Sequence, residues 1–334
     1  MNSFDTYYDI RRAVLDDIPL IMEFIGQYWK ENHILAVNRS FFEYEMVQGE
    51  NVNFIIAVSK QTGRIEGIHG FIPASQSQDK LDVWGAIWKV VEGSKPMLGM
   101  ELKKRLPKLI GLRYELGVGL NPDTAGIILN FFGYYIASMN HYYMLSKRDK
   151  YKIADIKCYR EGVYKERKAY VKQISVLEEL ERDFDFGILK DNIPYKDAWY
   201  IRHRYFQHPI YRYKAFLVSD DYGNQAVLIV REQECFGEKV LRIVDFLGKQ
   251  EVFGCLAVFF LSMLCEYEYI DFYFSGMDER YVKDAGFVKA DEHDPNIIPD
   301  HFNPFEKKNS CILVTSNTEN GLFFKADGDQ DRPV

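Results

Sequence analysis

Apolar and polar positions along the chain fall into alternating strand-like and helix-like rhythms. Tyr8 to Ala13 predicts a strand. Asp16-Asp17 then opens a helix with Pro19 in its first turn and an apolar stripe at Ile21, Phe24, Ile25 and Tyr28, the i, i+3, i+4, i+7 spacing of one helical face. Asn53 to Val58 and Ile65 to Ile72, joined by Gln61-Thr62-Gly63-Arg64, predict a hairpin. Leu81 to Val91 predicts a strand apolar on both faces, which breaks at Glu92-Gly93-Ser94-Lys95-Pro96 and leads into a helix from about Leu98 to Leu109. Gly111 to Leu120 predicts the next strand. Asn121-Pro122-Asp123 opens an apolar helix ending near Phe131, closed by Gly133-Tyr134, and the stretch to Leu145 returns as strand.

The second half repeats this order. Ala215 to Ser219 and Ala226 to Glu232 predict a hairpin around Asp220-Asp221-Tyr222-Gly223-Asn224; Val240 to Phe246 predicts the next strand, Val252 to Cys265 a helix, and Ile270 to Phe274 another strand. The hairpin glycines Gly63 and Gly223, and the helix-closing glycines Gly133 and Gly286, stand at near-constant offsets of close to half the chain. Such offsets predict a tandem duplication of one α/β unit. With 334 residues the chain is long enough for two domains, expected at 1–150 and 151–334 with the charged stretch Lys147 to Arg182 as connection.

Composition narrows the function. Forty-two basic against 49 acidic residues give a net charge of -7, which counts against nucleic acid or anionic lipid as main partner. The five cysteines (158, 235, 255, 265, 311) form no CxxC, and no metal-ligand spacing is present, so no metal is expected. The apolar run from Val252 to Cys265 is shorter than the roughly 20 residues that cross a bilayer. The opening MNSFDTYYDI has no basic segment followed by an apolar one, so a cytoplasmic protein is expected.

The strand–loop–helix from Leu81 to Leu109 is the most informative segment. A strand that ends in a small-residue loop before a helix leaves backbone N–H groups and the positive end of the helix dipole for a phosphate. Gly93, Lys95 and Gly99 stand where a diphosphate needs charge and close backbone approach.

The first half resembles the GNAT superfamily of acetyl-CoA-dependent N-acetyltransferases in its element order, in the loop SKPMLG and in NPDTAGIILNFFGY at 121–134. The resemblance implies two GNAT-like lobes, each a mixed, mainly antiparallel sheet flanked by helices, with acetyl-CoA as donor and a small amine, including an amino sugar or its nucleotide-linked form, as acceptor. It assigns the donor to Val90 and Val91 beside the thioester, to Lys95, Met97, Leu98, Gly99 and Met100 around the diphosphate, and to Asn121 along the pantetheine arm. Against the family's [RQ]-x-x-G-x-[GA] loop, Gly99 matches, while Ser94 and Met97 replace the Arg/Gln and the middle glycine; Leu129 stands where the family's usual acidic tyrosine lies.

Acyl transfer to an amine needs a base, a donor for the developing oxyanion and an acid for the sulfur. Candidate bases are His33, His69 on the hairpin strand, Glu92 and Glu115, with His141 as a further histidine facing the predicted cleft. The second half has no phosphate loop and is expected to be a degenerate lobe. Its aromatic-basic stretch from Trp199 to Tyr213 suits sugar rings and phosphates or a domain interface, and the loop Asp300 to Phe305 is a further aromatic-polar candidate. Two rivals share the fold: a non-catalytic GNAT-like ligand- or partner-binding protein, and a tRNA-dependent aminoacyltransferase of the two-lobed type, against which the acidic charge counts.

Overall fold

The computed structural model describes residues 3–290 and 294–333. It divides into two compact units, Met1–Tyr135 with Thr315–Glu319 and Gly328–Val334, and Ile136–Val314 with Asn320–Asp327. The boundary falls before the one expected at 150, and the charged stretch 147–182 lies within the second unit. Among the described residues, no helix is long and apolar enough to cross a membrane.

In the first unit the strands Tyr8–Val14, Asn51–Ser59, Ile65–Pro73 and Asp82–Val90 pair antiparallel in that order. Tyr114–Val118 then joins Asp82–Val90 in parallel. The helix Leu98–Ile110 lays Leu98, Leu102 and Leu106, an i, i+4, i+8 row, on Ile10, Ile55, Phe71 and Val83 of the sheet. Gly70 leaves room for a ring: a Cβ there would stand 2.7 Å from Phe54.

Two irregularities open the sheet. The parallel ladder is three residues long, Asp82↔Tyr114, Val83↔Glu115 and Trp84↔Leu116. Immediately beyond it, His69 faces Trp88 while Phe71 faces Gly85, so the central strand carries one extra residue at Ala86–Ile87. A bulge bends its strand and sharpens the twist, which accounts for the two parallel strands parting after Trp84 and Leu116.

The second unit follows the same plan. Ala169–Ile174, Lys214–Asp220, Gln225–Cys235 and Glu238–Gly248 pair antiparallel, and Tyr269–Ser275 joins in parallel through three pairs from Leu241↔Ile270 to Ile243↔Phe272. An extra residue, Val244, again sits just past the ladder. Gly63, Gly133, Gly223 and Gly286 all have positive φ, so corresponding turns in the two units use glycine for the same backbone conformation.

Three predicted elements differ. The apolar stretch from Val252 is a 3-10 turn Gln250–Cys255 followed by the helix Ala257–Leu264. The helix after Asn121 begins as a π-turn, Pro122–Gly126, before Ile127–Phe131. The predicted strand to Leu145 is broken at Met139, and its second half, Asn140–Leu145, pairs with Tyr269–Ser275 in the sheet of the second unit.

The second unit's opening is filled. Phe323–Phe324 pairs antiparallel with Phe274 and Ser275 on one side, and Ala326 donates its amide to the bulge carbonyl of Val244 on the other (2.9 Å). Phe324 stacks on Phe272 at 5.9 Å, amid Phe253, Phe260 and Phe287. Buried charges hold the plug: Lys196 lies 2.7 Å from both Asp245 and Asp327, Lys325 lies 2.7 Å from Asp300, and Arg204 reaches the carbonyl of Ala326. Arg204 and Tyr205 of the aromatic-basic stretch, and Asp300, therefore serve this packing. His141, also buried, stacks on Tyr273 at 3.9 Å.

Candidate active site

The opening in the first unit holds a cavity of about 230 Å3, lined by both parted strands, the helix Leu98–Ile110 and the turn after Asn121. Four polar side chains meet there. Glu115, on the strand Tyr114–Val118, is buried and pairs through Oε1 with the Lys103 ammonium; Oε2 accepts from the Tyr134 hydroxyl at 2.9 Å. Nε2 of His69 lies 3.6 Å from Oε1, and its ring stacks on Trp88. The Lys103 ammonium lies 4.3 Å from the centre of the Tyr134 ring, a cation–π contact strengthened by burial.

The Glu115 backbone is fastened on its far side. Its amide donates to Oδ1 of Asn317 at 3.0 Å and its carbonyl accepts from the Asn317 amide at 3.1 Å. The floor between His69 and Glu115 is Gly85. A Cβ at Gly85 would stand 3.7 Å from Oε1 of Glu115 and 3.8 Å from Nε2 of His69, so a substrate atom over this residue is in reach of both groups.

Burial and charge set the protonation states. Burial works to raise the Glu115 carboxyl, but the Lys103 ammonium, His69 and the hydrogen bonds from Lys103 and Tyr134 outweigh it and hold it below the ordinary range. Burial pushes His69 down to about 4, against the pull of Glu115 and aided by Lys103. At neutral pH the imidazole is thus neutral, and its buried Nδ1 meets no partner among the described residues. Burial and then the Glu115 charge raise the Tyr134 phenol, which stays protonated.

The donor-side residues are disposed unevenly. Met97, with φ 71, starts the helix Leu98–Ile110 without a side-chain cap, and among the described residues the amides of Gly99 and Met100 meet no backbone acceptor. A phosphate could accept from these two amides. The amide of Leu98 donates to the carbonyl of Lys95 (3.1 Å), and the amide of Lys95 to the Tyr8 hydroxyl (3.1 Å), so the seat is smaller than the sequence implies. The Lys95 ammonium rests 4.1 Å from the centre of the Tyr7 ring, where the aromatic face takes its charge.

Val91 donates its amide to Glu66 at 2.9 Å, which removes it as an oxyanion donor. Alternation along an antiparallel ladder then turns the N–H of Val90 toward the open edge. Asn121 lines the cavity and uses Oδ1 to accept from the Asp123 amide at 2.9 Å.

Two of the sequence-predicted bases are corrected. His33 does not line the cavity: its Nδ1 accepts from the Leu35 amide at 3.2 Å and caps the short helix Ile34–Val37. Glu92 is exposed in the turn after the central strand and does not line it either. Glu115 does, together with His69. Sequence reasoning missed Lys103. Its signal was its place beside the Leu98, Leu102, Leu106 row, which turns a lysine toward the sheet edge.

No family model matches the sequence, and no curated protein is similar to it in sequence. Solved structures do resemble the fold. A GCN5-related N-acetyltransferase from Anabaena variabilis superposes with TM-score 0.56 at 12% identity, over 92% of this chain and 72% of that one. A probable N-acyltransferase from Enterococcus faecalis gives TM-score 0.56 at 9% identity, over 94% of this chain and 73% of that one. With its two mixed, mainly antiparallel sheets, the chain has the two-lobed fold of the GCN5-related N-acetyltransferases.

Proposed function

We propose that this chain is an acetyl-CoA-dependent N-acyltransferase that acylates a small amine in the cavity of its first unit, the second unit having given up its donor cleft to the segment Phe323–Asp327. The observation that carries the reading is the open, bulged edge over Gly85, with Glu115 and His69 on either side of it. Bound acetyl-CoA supplies the activated acyl group, held by the amides of Gly99 and Met100 at its diphosphate and by Asn121 along its arm.

The protein's own groups do the rest. Glu115, ionised and wedged between Lys103 and Tyr134, takes the proton of the incoming ammonium at Oε1. Neutral His69 accepts a hydrogen bond from the same nitrogen and orients its lone pair. The Val90 N–H, five residues along the same strand from Gly85, would hydrogen-bond the donor's arm and not the reacting carbonyl. Trp29, half exposed on the cavity wall, offers a flat apolar face to a ring-borne amine, which supports an amino sugar or its nucleotide-linked form as acceptor. A non-catalytic ligand-binding role is the second reading, favoured by the commitment of Lys95 to Tyr7 and Tyr8.

Thermal unfolding with acetyl-CoA, followed by thiol release with a panel of amines, tests the proposal. Binding raises the melting temperature by mass action, and thiol release should require an amine. A well-folded sample with no shift at saturating acetyl-CoA refutes the transferase; a shift without thiol release from any amine favours the binding role.

A further inference from the structure

Among the described residues, Lys103 carries the only primary amine on the cavity wall. Its side chain is 6% exposed, and its ammonium is shared between Glu115 and the rings of Tyr134 and Trp88, 4.3 and 6.0 Å away at their centres. Burial pushes its pKa down, and Glu115 restores only part of the loss. The carboxylate oxygen it pairs with, Oε1, is the one that lies 3.7 Å from the Cβ position over Gly85. Lys103 and an acceptor amine therefore share one proton sink and one reacting space.

We propose that Lys103 is itself an acyl acceptor: with acyl donor bound and no amine substrate present, the protein acylates its own Lys103 Nζ. The inference rests on the function proposed above. The lysine ammonium passes one proton to Oε1 of Glu115, and its nitrogen lone pair forms a bond to the thioester carbonyl carbon as the carbon–sulfur bond breaks. The second proton leaves with the sulfur as free thiol, and Glu115 returns its own to water. The four-carbon stem of lysine lets Nζ swing from Glu115 toward the open edge without moving the helix.

The product is a neutral amide, so the change feeds back on the site. Glu115 keeps Tyr134 and His69 but loses its cation, and the push that Lys103 exerts on His69 disappears. Self-acylation thus converts an ion-paired site into one with an uncompensated carboxylate, which restrains turnover when acceptor is scarce.

The test is peptide mass spectrometry of the full-length protein after incubation with acetyl-CoA, and separately with a small acetyl thioester that has no nucleotide, alongside thermal unfolding with acetyl-CoA. At neutral pH the Lys103 peptide should gain an acetyl group roughly ten-fold faster than surface lysines, which have no carboxylate base positioned beside the bound thioester. An amine substrate should suppress that label, and the Lys103→Arg variant should lose it while its surface lysines label as before. Label absent from Lys103, or spread evenly over surface lysines, in protein that acetyl-CoA stabilises overturns self-acylation and leaves the transferase standing. No stabilisation and no label overturns both.

Discussion

Gly85 faces Glu115 across the mouth of the parted strands, with 3.7 Å between a Cβ built on the glycine and Oε1 of the carboxylate. That is ordinary van der Waals contact, so alanine fits there without strain. Gly85→Ala should leave the melting temperature unchanged or slightly raised, since replacing a strand glycine removes unfolded-state entropy. It should nonetheless cut amine acylation by roughly ten-fold or more, because a misplaced acceptor forfeits alignment. Equal turnover in the variant would move the reacting centre elsewhere.

The Lys103–Glu115 pair is a buried ion pair, and breaking one half leaves the other charge uncompensated. Glu115→Gln should cost about 3–5 kcal/mol of stability, whereas the double change Lys103→Met with Glu115→Leu should recover most of it. Neither protein should acylate an amine. Denaturant unfolding and thiol release, measured on the same samples, separate the structural share from the chemical one.

His69 titrates near 4 in the folded protein and near about 6.5 when unfolded. Between these values the unfolded chain binds a proton that the native site refuses. Stability is therefore full above pH about 6.5 and declines as the pH falls toward about 4, by about 3 kcal/mol from this residue. His69→Phe should flatten that part of the stability profile measured by denaturant unfolding; an unchanged slope would assign the acid sensitivity to other groups.

His33 caps a helix through Nδ1. His33→Ala should lower stability by about 1 kcal/mol, the usual cost of a lost N-cap, and leave amine acylation as it was. A large loss of turnover at unchanged stability would return His33 to the chemistry.

Phe324 is 3% exposed and stacks on Phe272 inside the second unit. Phe324→Ala should destabilise by about 3–5 kcal/mol, since the surrounding rings cannot close the void. A small effect in denaturant unfolding would mean that the plug is dispensable packing.

Much of the fold could be read from the sequence because the signals were local. The hairpin at Gly63, the strand before Glu92, the helix from Leu98 and their counterparts in the second half each carry their own periodicity and turn residues. Glu115, Asn121 and the uncapped helix start could be placed for the same reason. The bulge at Ala86–Ile87 could not, because an extra residue in a strand shows only against its partner. Nor could the Lys103–Glu115 pair, whose members stand on different elements, or the filling of the second cleft by Phe323–Asp327, which joins residues far apart in the chain. His33 misled because a histidine after a helix reads alike whether it caps the next turn or lines a pocket.

The excursion of Asn140–Leu145 into the second sheet, with the return of Thr315–Glu319 and Gly328–Val334 to the first unit, has a practical corollary for dissecting the molecule. A fragment ending at the sequence midpoint carries an orphan strand with unsatisfied hydrogen-bonding edges and lacks the Asn317 amide that secures Glu115. Its complement lacks the strand that borders Tyr269–Ser275. Neither piece is a faithful stand-in for a lobe, so dissection of either unit calls for the whole chain.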